Sequence, residues 1–147
     1  MISDRIFFIL RVLLGAVFLV SGFEKVTQPY QNFVYILQAY DILPTMMEKG
    51  VALFFPWLEL MVGMFVVLGL WLKMGLRVVV GMLCVFIGVL SQALWRGLDL
   101  SDCGCFGALI HIPPQGTLIV DTSLLILTIV FLKHIERVTW FSLDRYL

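Results

Sequence analysis

The sequence predicts an all-α membrane protein, a four-transmembrane-helix bundle with an interfacial helix in its first outer loop. Two observations carry that expectation. Of 147 residues, 61% are hydrophobic and 14% charged, with a mean hydropathy of +1.03, whereas an ordinary soluble domain carries about 25% charge. Four stretches, 6–23, 51–72, 76–95 and 117–132, are also continuously apolar over close to the roughly 20 residues that a helix needs to cross hydrocarbon. A barrel would instead show alternating segments of about ten residues, and open sheet leaves backbone groups unsatisfied in lipid. The partner these features imply is the lipid bilayer. A formal net charge of zero and a pI near 6.7 offer nothing to nucleic acid.

Each element has its own justification. In the first span Arg5 precedes the apolar run and Arg11 interrupts it, and no A-x-A site follows Ser21 and Gly22, so the segment reads as a retained helix rather than a cleaved signal. Gly15 and Gly22 in this span, and Gly81 and Gly88 in the third, lie seven residues apart and are expected on packing faces. Between Pro29 and Pro44 the apolar residues Phe33, Val34, Ile36, Leu37, Tyr40 and Leu43 recur at helical spacing, which predicts a helix lying on the membrane surface and bracketed by the two prolines. The second and third spans are expected to meet in a tight turn at Lys73–Gly75. Residues 133–147 mix Lys133, His134, Glu136 and Arg137 with Val138, Trp140, Phe141 and Tyr146, the composition of an amphipathic anchor. The whole chain, 1–147, reads as a single integral membrane domain.

Basic residues set orientation in short loops. Arg5, Lys73, Arg77, Lys133, Arg137 and Arg145 fall on one side, with Arg11 just inside the first span, against Lys25, Lys49 and Arg96 on the other. Both termini are therefore expected in the cytoplasm of a bacterium, the chain crossing the inner membrane several times, with the loops 24–50 and 96–116 outside.

The second of those loops holds Cys103 and Cys105 in the order Asp-Cys-Gly-Cys-Phe-Gly. A disulfide across one residue closes a small ring that Gly104 is best able to tolerate, and strained, exposed disulfides are the labile, exchanging ones. As a staple so local a bridge constrains the unfolded chain little. Two thiolates do not complete a tetrahedral zinc site, even with His111 as a third donor, so no metal site is assigned. Cys84, in the middle of the third span, is expected to pack in the core.

Ionisable residues inside a membrane are costly enough to be functional candidates. Lys25, Glu59 and Asp121 all fall in the outer half of the bundle, as do Ser91, Gln92 and Arg96. Because a buried carboxylate without a partner takes up a proton, Lys25 is expected to pair with Glu59 or Asp121. That pairing is either a structural clamp or a cluster that tunes and reprotonates the cysteines. For Arg11 the choice lies between snorkelling to the interface and a bond between helices.

Taken in order, Arg11 to Gly15, Ser21-Gly-Phe-Glu-Lys25, Pro29, Pro56-Trp-Leu-Glu59 with Gly63, Arg96-Gly97, CGCFG at 103–107 and Asp121 resemble the MauE branch of the DoxX-like membrane proteins, from Arg11 to about Leu132. The resemblance implies a four-helix protein of periplasmic redox work, which with a thioredoxin-like partner helps mature the disulfide-rich small subunit of methylamine dehydrogenase. Many relatives appear outside methylamine metabolism, so the substrate does not carry over. The matching positions are Arg11, Lys25, Glu59, Cys103, Cys105 and Asp121.

The expectation is thus a membrane thiol/disulfide oxidoreductase whose Cys103 and Cys105, assisted by Lys25, Glu59 and Asp121, exchange disulfides or electrons with an extracytoplasmic thioredoxin-like protein. With one cysteine pair, either a quinone reacts directly at the pair or electrons pass between soluble partners, and Trp57, Trp95 and Phe106 line a quinone site or form an aromatic belt. The alternatives are a soft-metal carrier using the two thiolates with Glu59 and Asp121, and a non-catalytic assembly subunit of a redox complex.

Overall fold

The computed structural model describes residues 2–40, 44–97 and 114–138. Six helices follow one another: α1 (Ile2–Thr27), α2 (Tyr30–Tyr40), α3 (Thr45–Leu68), α4 (Leu72–Trp95), α5 (Pro114–Lys133) and the short α6 (Ile135–Val138). Four of them are long and apolar enough to cross a membrane, over Arg5–Thr27, Met46–Leu68, Leu72–Trp95 and Gln115–Lys133. No strand occurs among the described residues. The expected fold class stands, and α2 occupies the place expected of the interfacial helix.

The element order makes the bundle alternate in direction. One end carries the start of α1, the α3/α4 turn and α6. The other carries the end of α1, α2, the end of α4 and the start of α5. Cys103 and Cys105, which fall between α4 and α5 in the sequence, lie outside the described residues.

Two boundaries differ from the sequence expectation. The second span begins at Thr45, capped by Pro44 in extended conformation, because nothing before residue 51 stops a helix once Pro44 has started it. The tight turn falls at Gly69–Trp71 rather than Lys73–Gly75. Gly69 takes the left-handed conformation (φ 71°, ψ 31°) that terminates α3, and the Leu70 amide donates back to the Phe65 carbonyl at 3.0 Å. Trp71, also left-handed at φ 44°, precedes the first residue of α4. Lys73 and Gly75 are helical, and the Gly75 amide donates to the Trp71 carbonyl at 2.9 Å.

Packing is uneven. Helices α1 and α3 approach closely because glycines face each other. A Cβ on Gly63 would stand 2.7 Å from the Leu19 amide nitrogen and 2.9 Å from the Gly15 carbonyl oxygen, and one on Gly22 would stand 2.6 Å from the Leu60 nitrogen. Helices α4 and α5 form a second pair. Side chains fill the space between the pairs: Leu14 and Phe18 of α1, Val62 and Val66 of α3, Leu76, Val79 and Leu83 of α4, and Phe131 of α5. Phe7 packs on Phe131 with ring centroids 5.9 Å apart, and Phe55 meets Phe86 edge-on at 5.3 Å.

Two further expectations are corrected here, and the choice left open for Arg11 is decided. Nothing stands within 4 Å of a Cβ on Gly81 or Gly88; both lie on the exposed face of α4, so this pair is no packing seam within the chain. Cys84 is exposed on the same helix rather than part of the core. Arg11 does not snorkel: it is 1% exposed, stacks over the Phe8 ring at 5.1 Å and donates through Nη2 to the Val67 carbonyl at 3.4 Å. A cation there answers the negative C-terminal end of α3.

The glycine contacts yield a prediction. Gly63→Ala forces backbone apart and should cost about 1–3 kcal/mol, whereas Gly81→Ala should leave stability unchanged. Thermal unfolding of the two variants in one detergent checks this, and equal melting temperatures would contradict the close approach of α1 and α3.

Candidate functional site

The centre of the second half of the bundle is an ion pair. Lys25, in the last turn of α1, and Glu59, in the middle of α3, are 7% and 0% exposed. The Lys25 ammonium donates to Glu59 Oε1 at 2.9 Å and Oε2 at 2.8 Å. Its third proton goes to Ser21 Oγ at 3.0 Å, and the Ser21 hydroxyl donates in turn to Glu59 Oε2 at 3.3 Å. An ammonium has three donors, and all three are used. The rings of Phe33 from α2 and Phe86 from α4 flank the ammonium at 5.6 and 5.5 Å, adding a cation–π contribution from two helices outside the pair.

Local sequence explains the arrangement. Ser21 and Lys25 are four residues apart and share one face of α1. Gly22 between them carries no side chain to hold α3 away, so Glu59 comes within direct reach. Because α3 begins at Thr45, Glu59 lies about 21 Å along the helix from its start, deeper than a span beginning at residue 51 implies.

Asp121 comes from α5, one turn after Thr117, and both are buried. It shares with Ser21 and Glu59 the lining of a small cavity, closed by Val17, Phe18, Leu83, Phe86 and Leu124. The cavity measures about 10 Å³, roughly the volume needed for one water, and its three polar walls supply the partners a buried water requires. The site therefore draws on α1, α3 and α5, with rings from α2 and α4 closing it.

Of the sequence candidates, Lys25 and Glu59 bond directly and Asp121 faces the same cavity. Ser91 and Gln92 are exposed on α4, outside this cluster, and Arg96 is exposed at its end. Trp57 and Trp95 are exposed at 56% and 92%. The structure adds Ser21, Phe33 and Phe86 to the site. The four-residue spacing from Lys25 was a usable signal for Ser21, but no local pattern marks Phe33 or Phe86. Among the described residues no group of three His, Cys, Asp or Glu side chains is placed to hold a metal ion.

Four apolar helices long enough to cross a membrane, with a buried cluster of charge between them, define a multi-pass integral membrane protein. Its sequence matches the family model for methylamine utilisation protein MauE over residues 3–134, and the chain belongs to that family. No curated protein and no solved structure matches it.

The ion pair sets up a stability test. Removing one partner strands a buried charge, so Lys25→Met should destabilise the protein by about 3–5 kcal/mol, while Lys25→Met with Glu59→Leu should recover most of the loss. Denaturant titration in detergent micelles distinguishes the two variants. Equal losses in both would mean that the pair contributes shape rather than charge balance.

Proposed function

We propose that the protein is a thiol/disulfide redox component of the bacterial inner membrane, with both termini cytoplasmic, whose Cys103 and Cys105 exchange disulfides with an extracytoplasmic thioredoxin-like partner. The observation that carries this reading is the buried Lys25–Glu59–Asp121 cluster, built into the half of the bundle where α4 ends and α5 begins, the two helices that flank both cysteines in the sequence. Membership of the MauE family supports it.

In this reading the thiolate of one loop cysteine attacks the partner's disulfide, breaking one S–S bond and forming a mixed disulfide while the partner's other sulfur leaves as thiolate. The second loop cysteine then displaces the partner. The partner disulfide is thereby reduced and the Cys103–Cys105 pair oxidised, and the reverse direction runs the same steps backward. Each thiol must lose a proton, and nearby charge sets how readily it does so. Lys25 favours thiolate electrostatically, while Glu59 and Asp121 accept and return protons.

The test is trapping. In native membranes, Cys105→Ser or Cys103→Ser should accumulate a mixed disulfide with a soluble extracytoplasmic protein, and the unaltered pair should label with a thiol reagent only after reduction. A loop pair that stays reduced and traps nothing sinks the proposal, as does full function in the double Cys→Ser variant, the result expected of an assembly subunit. Asp121→Asn should slow exchange by about a hundred-fold, the scale of a lost proton-transfer group, while leaving the fold intact by thermal unfolding.

Orientation is checked by a membrane-impermeant reagent applied from outside. It should reach the reduced loop cysteines and spare a cysteine placed at Lys73. The opposite pattern inverts the topology.

A further inference from the structure

The short helix α2 covers two buried ionisable groups. Lys25 lies in the last turn of α1 and Glu48 in the first turn of α3, and they are 7% and 4% exposed. Helix α2 reaches both. Its Phe33 ring stands over the Lys25 ammonium at 5.6 Å, and the Gln38 side-chain amide donates through Nε2 to Glu48 Oε2 at 2.9 Å.

Packing does little to fix α2 in that place. Among its described side chains, 30–38, none is buried, and none belongs to the hydrophobic core between the spans. Segments with few buried apolar contacts are the ones that open locally. Pro29 has no amide hydrogen and cannot continue the ladder of α1, so two residues, Gln28 and Pro29, link the two helices. The partly buried Phe33, Val34, Ile36 and Leu37 would exchange protein for the membrane interface on leaving α3, and lipid is as apolar as a leucine side chain. Apolar burial therefore contributes little to holding α2 down. What lipid cannot replace is the Gln38–Glu48 hydrogen bond and the contact of Phe33 with the ammonium.

We propose that α2 is a lid over the Lys25–Glu59 pair, with Gln28 and Pro29 as its hinge and the Gln38–Glu48 hydrogen bond as its latch. The structure shows it closed, with water kept off the ammonium. Open, it admits small water-borne molecules to Lys25 and to the chamber that Ser21, Glu59 and Asp121 line. A hydrogen bond to a charged group is strong enough to favour the closed state, and because it is one bond, opening stays within thermal reach. The lid rests on this geometry alone. Its use in catalysis rests on the thiol reading: an open lid lets the Lys25 charge act on an incoming thiol and favour its thiolate, and a closed lid withholds that charge.

The experiment follows acetylation of lysines in the full-length protein, held in phosphatidylcholine nanodiscs open to water on both sides. A water-soluble N-hydroxysuccinimide ester is the probe, mass spectrometry maps the products, and the exposed Lys49 is the internal reference. Lys25 should react at least ten-fold more slowly than Lys49. Gln38→Ala removes the latch at an exposed position and should raise the Lys25 rate about ten-fold, the scale of one hydrogen bond to a charged group. Gln38→Lys, whose ammonium can meet the Glu48 carboxylate, should leave Lys25 as slow as in the unaltered protein. Phe131→Leu loosens the core at the opposite end of the bundle and should also leave it slow. Lys25 as reactive as Lys49 from the outset, no rise in Gln38→Ala, or an equal rise in Gln38→Lys overturns the lid. So does an equal rise in Phe131→Leu, which would mean exposure by general unfolding. The same rates are expected with Cys103→Ser and Cys105→Ser in place, which separates the lid from the thiol reading. A lid that opens while the loop pair traps no partner upholds the first and overturns the second.

Discussion

At the depth of hydrocarbon an ammonium and a carboxylate are tolerable only in each other's company, and the Lys25–Glu59 pair meets that condition in full. All three ammonium protons have acceptors, two on the carboxylate and one on Ser21, and two aromatic rings exclude lipid from the rest of the group. This geometry depends on how closely α1 and α3 approach, which the absence of side chains at Gly15, Gly22 and Gly63 allows. The dependence runs both ways. Glycine contacts draw the helices together without choosing a register, and the ion pair chooses it, because a shift of one turn, about 5.4 Å, would separate the charges and leave both desolvated.

A different kind of contact joins the α1–α3 pair to the α4–α5 pair. Leucine, valine and phenylalanine side chains hold the backbones apart, and in that wider space the bundle places Asp121 across a water-sized cavity from Ser21 and Glu59. Tight packing inside each pair with looser packing between them gives a polar chamber room to exist. It also confines that chamber to the end of the bundle where α4 ends and α5 begins. At the opposite end Arg11 plays the corresponding structural part, bonding a terminal carbonyl of α3 from within the bundle.

The proposed chemistry divides accordingly. In that proposal Cys103 and Cys105 are the groups that exchange, and the buried cluster supplies charge and protons. The buried cluster draws on the last two turns of α1, where Ser21 and Lys25 face inward while Val20 and Phe23 are exposed. A single short stretch of helix thereby serves two environments.

The sequence by itself determined the fold class, the four spans, the surface helix between Pro29 and Pro44, and the expectation that Lys25 pairs with a carboxylate. Hydropathy reports what can enter lipid, and an isolated charge there is too costly to stand alone. It did not determine which carboxylate, which glycines pack, or where a run of apolar residues turns. Lipid and protein interior are equally apolar, so a membrane helix shows little contrast between its buried and exposed faces. Gly81, Gly88 and Cys84 are therefore indistinguishable by pattern from Gly15, Gly22 and Leu83, although the first three face outward and the others pack inside. The choice of Glu59 over Asp121, the turn at Gly69–Trp71 and the burial of Arg11 belong to the tertiary structure, because each follows from the distance between helices, which no single helix encodes.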